Sequence, residues 1–169
     1  MDDKIIIATI KKVIPSVISI MISKHLEDLE KEIPVDLYPF LPQGPHGPQL
    51  QIPESLIDKR GMVQIGGGSG FIVEPDGIIL TNKHVISDLK AEYTVITNSG
   101  ARLPAEILSR DPINDVAMLK VAAHDLPAVL LGDASKLELG QSVIAIGNAL
   151  GIFKNTVSMG IVSGLSRAI

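Results

Sequence analysis

Two apolar runs, Phe71-Ile72-Val73 and Ile78-Ile79-Leu80-Thr81, flank the turn Glu74-Pro75-Asp76-Gly77. Apolar residues rich in β-branching, joined by a Pro-Asp-Gly turn, are a hairpin signal. Ahead of the first run stands Gly66-Gly67-Gly68-Ser69-Gly70, and after the second Asn82-Lys83-His84-Val85. The stretch reads as strands over 63–74 and 78–82 that end on a polar turn carrying a histidine.

Outward from this hairpin the texture repeats. Downstream, strands are expected over 91–98, 101–110 and 115–121, divided by Asn98-Ser99-Gly100 and Asp111-Pro112-Ile113-Asn114. Upstream, residues 16–23 read as a strand buried on both faces. Before it, Asp2-Asp3 can cap a short helix in which Ile6, Ile10, Val13 and Ile14 recur at helical spacing, until Pro15 stops it. After a loop over 125–140, two more apolar strands are expected, at 142–146 and 156–165. Short strands, frequent turns and no long helix argue for a barrel or sandwich. The last two strands begin a sheet that the sequence does not complete, and open edges of this kind are usually avoided.

The chain has 169 residues, enough for one ordinary domain. Apolar residues make up 46% and aromatics 3%, with no Trp, so the core must come from Ile, Val, Leu and Ala. A net charge of −4 argues against nucleic acid as the main partner. The absence of Cys excludes disulfides and thiolate zinc sites. Asp2 and Asp3 stand where a signal peptide would be basic, and Lys11, Lys12 and Pro15 interrupt the apolar stretch 5–22. Neither a signal peptide nor a bilayer-spanning helix is expected there. Residues 24–61 pass from a charged run, Glu27 to Glu32, into a Pro/Gly-rich segment where regular structure is not expected.

His84 sits at a strand end, and Asp115 opens a later strand. A strand and hairpin between them could bring the side chains together. A general-base histidine needs one ring nitrogen free, and a carboxylate on the other fixes the tautomer and stabilises the imidazolium. Taken singly, a turn histidine more often has its ring in solvent, and a strand-end aspartate is more often a turn carboxylate. His25, His46 and His124 are read as solvated, and no pair has helix-face metal spacing. The glycine run fails the dinucleotide pattern because position 71 is Phe.

The order of several phrases is more specific than any one residue. Gly67 to Val73 followed by Asp76-Gly77-Ile78-Ile79-Leu80-Thr81-Asn82-Lys83-His84-Val85 closely resembles the catalytic-His segment of the HtrA/Deg proteases, within the trypsin-like clan. Asp111-Pro112-Ile113-Asn114-Asp115-Val116-Ala117-Met118-Leu119-Lys120-Val121 looks like their catalytic-Asp segment. Leu131-Gly132-Asp133-Ala134-Ser135, Ala145-Ile146-Gly147-Asn148-Ala149-Leu150-Gly151 and Gly160-Ile161-Val162-Ser163 are similar to the passage into the second barrel, and Pro15-Ser16-Val17-Ile18-Ser19-Ile20 fits the first strand.

The resemblance implies an all-β, trypsin-like double β-barrel. Residues 1–15 would form the N-terminal helix and 16–124 the complete first six-stranded barrel, with 24–61 its long loop. Residues 125–169 would form a linker and the first two strands of the second barrel. It implies His84 as general base and Asp115 as its orienting carboxylate. The family's nucleophile lies in a Gly-Asn-Ser-Gly-Gly segment that these residues do not contain, so the serine is expected beyond Ile169. Ser158, Ser163 and Ser166 lack a glycine-rich turn that could form an oxyanion hole, and Ser69 precedes His84. The implied activity is that of a serine endopeptidase of protein quality control, acting on unfolded or damaged polypeptides as a trimer-based homo-oligomer. No cofactor, metal or nucleic acid is implied. Relatives usually work outside the cytoplasm or behind an anchor, whereas this sequence leaves the compartment open. By itself the chain is expected to be inactive. The alternative is a natural non-catalytic half-protease that binds polypeptide or pairs with a partner through its open strands.

Overall fold

The computed structural model describes residues 2–34, 36, 41–44, 47–48, 50, 52–149 and 153–165. In chain order the elements are helix α1 (Asp3–Val13), strand β1 (Val17–His25), helix α2 (Leu26–Lys31) and the two-residue strands β2 (Gln43–Gly44) and β3 (Gly47–Pro48). Then come β4 (Met62–Glu74), β5 (Ile78–Asn82), β6 (Glu92–Ile96), β7 (Arg102–Arg110), β8 (Val116–Val121), β9 (Ser142–Ala149) and β10 (Phe153–Ile161). Six of them close an antiparallel barrel in the order β1-β4-β5-β8-β7-β6, with β6 returning to β1.

Side-chain alternation explains the wall. Ile79 and Thr81 of β5, Tyr93 and Val95 of β6, and Ala117, Leu119 and Val121 of β8 are buried at every second position. That is the period of the pleat. Ile18, Ile20, Ile72 and Ile86 complete the cluster. Burying each such Ile or Leu stabilises by about 1.5–3 kcal/mol, which is how a barrel without Trp holds together. β1 does not alternate: Val17, Ile18, Ser19 and Ile20 are all buried. β9 lies against β1 and β4 and covers the outer side. The expected two-sided burial of this strand is therefore observed.

The hairpin forms as its turn chemistry requires. Gly77 has φ +100° and donates its N–H to the Glu74 carbonyl at 3.0 Å. A Cβ there would collide with the Val121 carbonyl oxygen, so the position needs glycine.

β9 and β10 pair antiparallel as a two-stranded sheet. The second of these was expected over 156–165. It starts earlier and ends at Ile161, because the next backbone groups, at Val162, bond to Gly140 and Gln141 in the turn ahead of β9. The expectation of no regular structure covered the Pro/Gly-rich part of the 24–61 segment, where β2 and β3 correct it; the charged run ahead of it carried no such expectation. α2 forms within that charged run, with Glu27 and Asp28 in the first turn and Lys31 in the last, each suited to the helix dipole. β2 and β3 make a minimal ladder inside the Pro/Gly-rich part. The N-terminal helix forms as expected, with the Asp2 carboxylate accepting the Lys4 N–H at 2.9 Å. Among the described residues no helix is long and apolar enough to cross a membrane.

Candidate active site

Strand register builds the site. β5 pairs with β8 so that Asn82 stands opposite Val116. Asp115 immediately precedes Val116, and His84 is two residues beyond Asn82. Both therefore emerge at one rim of the barrel.

The two flanking turns aim them at each other. After Asn82 the chain makes a short 3-10 turn over Lys83–Ile86 that drives Ile86 into the core and leaves the His84 side chain 72% exposed. On the opposite side the Asp111 carboxylate accepts the N–H groups of Ile113 and Asn114, both at 2.7 Å. The Asp111 N–H closes the loop on the Val116 carbonyl at 2.7 Å. This tight turn leaves Asp115 at φ +48°, a left-handed conformation that Asp tolerates better than most residues. In it the Asp115 carbonyl accepts the Lys83 N–H at 3.0 Å and the Asn82 amide at 3.1 Å.

The carboxylate is then spent on His84. Oδ1 accepts the main-chain N–H of His84 at 2.9 Å, and Oδ2 lies 2.7 Å from the ring Nδ1. The Asn82 amide also reaches Oδ2, at 3.3 Å. These donors, first the His84 main-chain N–H and then its ring, hold the Asp115 carboxyl below the usual carboxylate range. An ionised carboxylate can only accept, so the proton between the two belongs to Nδ1. Nε2 is left with its lone pair available. Among the described residues the ring has no other hydrogen-bond partner. A cleft of about 670 Å³ takes in Asn82 and Val116, near neighbours of the pair in the chain, but neither His84 nor Asp115 lines it. Val13, Phe71, Leu80 and Val116 wall it together with Ile144 and Ile146 of β9, and Asn82 reaches into its lining.

The structure brings together the two residues singled out in the sequence, His84 and Asp115. The other candidates lie elsewhere. Ser69 is in β4 and bonds to Asn148. Ser158 is exposed on β10, and Ser163 follows that strand. Ser166 and His46 lie outside the described residues, while His25 and His124 are exposed. Sequence reasoning missed Asn82, which holds Asp115 by both its carbonyl and its carboxylate. Its signal was its place at the end of the strand that leads to His84.

His84 and Asp115 thus form a hydrogen-bonded pair at the rim of a closed six-stranded barrel. Residues 68–168 match the model of the trypsin-like peptidase domain, and the chain belongs to that family. Within it the relatives are HtrA/Deg proteases. The chain is 46% identical over 102 residues to the "Probable periplasmic serine endoprotease DegP-like" of Pseudomonas fulva (strain 12-X), covering 60% of this chain and 21% of the relative. The protein of the same name from Pseudomonas putida (strain F1) is 40% identical over 131 residues, 78% of this chain and 25% of the relative. A solved HtrA-type protease, AlgW with a tripeptide, superposes with a TM-score of 0.64 at 25% identity, over 94% of this chain and 40% of that one. The chain thus spans about a fifth to a quarter of the length of these curated relatives.

Proposed function

We propose that this chain supplies the general-base half of a serine endopeptidase site. His84 takes the proton of a serine hydroxyl through Nε2 and later gives it to the leaving amine. Asp115 holds the Nδ1–H tautomer and stabilises the imidazolium. The nucleophile is a serine outside these 169 residues, presented with its own oxyanion donors. The observation that carries this reading is the double contact of Asp115 with His84, at main-chain N–H and ring. The substrates are unfolded or damaged polypeptides and the working form is a trimer-based homo-oligomer; the compartment is extracytoplasmic, a reading supported by relatives named as periplasmic. The test is to label the native gene product in its source cells with a fluorophosphonate probe. Labelling that a His84→Ala allele abolishes supports the reading. A native product that ignores the probe counts against it. The 169-residue chain alone should leave labelled casein intact, and hydrolysis that depends on His84 would overturn the placement of the serine.

A second reading is favoured by the apolar residues that β10 shows to solvent, Met159 at 51% and Ile161 at 61% exposed. On this reading the chain is a non-catalytic module whose open strands pair with polypeptide. A native product of 169 residues that binds unfolded casein without cleaving it would support this module.

A further inference from the structure

The mechanism leaves one buried charge unused. Lys24, next to last in β1, is 1% exposed. Its Nζ donates to the Glu32 carboxylate, just past α2, and to Asp88 Oδ2 at 2.7 Å. Lys90 Nζ reaches the other Glu32 oxygen at 3.5 Å, so two cations meet two carboxylates. Asp88 is occupied on every side. Its Oδ1 accepts the Lys90 N–H at 2.8 Å, and its carbonyl accepts the Tyr93 hydroxyl at 2.6 Å. Only the ammonium is buried, since the side chains of Asp88, Glu32 and Lys90 are 33%, 45% and 71% exposed, and solvent-facing ion pairs of this kind add little net stability. What the cluster does fix is the place of two irregular segments on the barrel.

One of those segments leads directly out of the His84 turn. Ile86 is buried in the core, Arg110 Nη1 donates to the carbonyls of Ile86 and Ser87 at 3.3 and 3.5 Å, and Asp88 follows. The turn is thus held by Asp115 on its entering side and by Arg110 and Lys24 on its leaving side. We propose that Lys24 is a positioning residue for His84, acting through Asp88, and that Glu32 ties the α2 segment to the same ammonium. The proposal rests on the reading of His84 as the general base.

The test follows the His84 ring in the ¹⁵N-labelled chain by long-range ¹H–¹⁵N correlation, at a pH where imidazole is neutral. Lys24→Met keeps the stem and removes the charge. The expected result is a folded variant in which the Nδ1–H tautomer of His84 loses its predominance, with Lys24→Arg restoring it. Unchanged His84 ring shifts in folded K24M overturn the proposal. If K24M fails to fold, Asp88→Asn is read in the same way, since it removes the carboxylate charge and keeps the Tyr93 contact. If neither folds, the cluster is a folding element and the positioning role is overturned. Asp115→Asn separates the two levels. A ring that responds to D115N and ignores K24M sinks the role of Lys24 alone, whereas a ring that ignores both sinks the dyad itself.

Discussion

Asp115 engages His84 twice with one carboxylate, at the main-chain N–H (2.9 Å) and at the ring Nδ1 (2.7 Å). One contact would fix the ring relative to the carboxylate and leave the turn free to drift. Two contacts fix the ring and its backbone together. Orientation is where much of a base's effectiveness comes from, because the entropy of positioning is met before the reaction begins. The arrangement depends on Asp115 lying at φ +48°, which directs its carbonyl and its carboxylate to the same strand end.

Asp115→Asn tests the electrostatic half of that relationship while preserving volume. The amide oxygen can still accept the His84 N–H, which turns the amide nitrogen toward Nδ1. Nδ1 must then accept, and the ring proton moves to Nε2, where it blocks the base. On the proposed reading, kcat for casein cleavage by the native gene product should fall about ten-thousandfold, as it does when a Ser-His-Asp triad loses its aspartate charge. Ring ¹⁵N shifts of the variant should show the reversed tautomer. Full activity in D115N would mean that His84 is not the base.

Gly68→Ala tests the support beneath the histidine. A Cβ on Gly68 would come within 2.5 and 2.7 Å of the two Val85 methyl carbons, and Val85 is the residue after His84. The variant must push the turn outward or strain β4. The expected cost is about 1–3 kcal/mol, as for overpacking elsewhere. Val85→Ala in the same chain should recover most of it, seen as coupling in a double-mutant cycle of urea unfolding. Additive costs would place the strain elsewhere in the barrel.

The barrel was legible because its signals are local. The alternation in β5, β6 and β8 and the Pro-Asp-Gly turn each lie within a few residues, and so do the phrases around His84 and Asp115. What remained hidden was set by distance along the chain. Lys24 reads as an ordinary solvated lysine, since its partner Asp88 is 64 residues away. Asn82 reads as a turn residue until the register places it opposite Val116. α2 was hidden for another reason. Six residues are too few to form a helix on propensity alone, and α2 is held by its surroundings: the Leu26 N–H donates to the Gly61 carbonyl at 3.0 Å, and Glu32 meets Lys24.

Acid should weaken this fold in a definite window. Asp58, Asp76, Asp88, Asp111, Asp115 and Asp133 are all held below their ordinary value of 3.8. The causes differ. The Met62 N–H acts on Asp58, Lys120 on Asp76, Lys24 on Asp88, the Asn114 N–H on Asp111 and the Ser135 hydroxyl on Asp133. For each, the unfolded chain binds the proton more readily than the folded one, so stability rises with pH through the window. This contribution is complete above about pH 4 and is lost as pH falls below it. The urea midpoint should fall as pH is lowered from 5 to 3. A midpoint that rises over that interval would contradict the assignment.

Ser69 is where the two-stranded sheet meets the barrel. Its hydroxyl accepts the Asn148 N–H at 2.7 Å and donates to the Asn148 carbonyl at 3.0 Å. Asn148 is 5% exposed and sends its side-chain amide to Ser19 Oγ at 2.9 Å, so β9 grips both β4 and β1. Ser69→Ala takes that hydroxyl from two backbone groups at a half-buried position, at a cost of about 1–3 kcal/mol. The loss should be local. Amide exchange should accelerate through β9 and β10 while β5, β6 and β8 keep their protection. Ser69→Thr, which retains the hydroxyl, should protect β9 better than alanine does. If the barrel strands lose protection together with β9, the sheet and barrel unfold as one unit and Ser69 is not the joint between them.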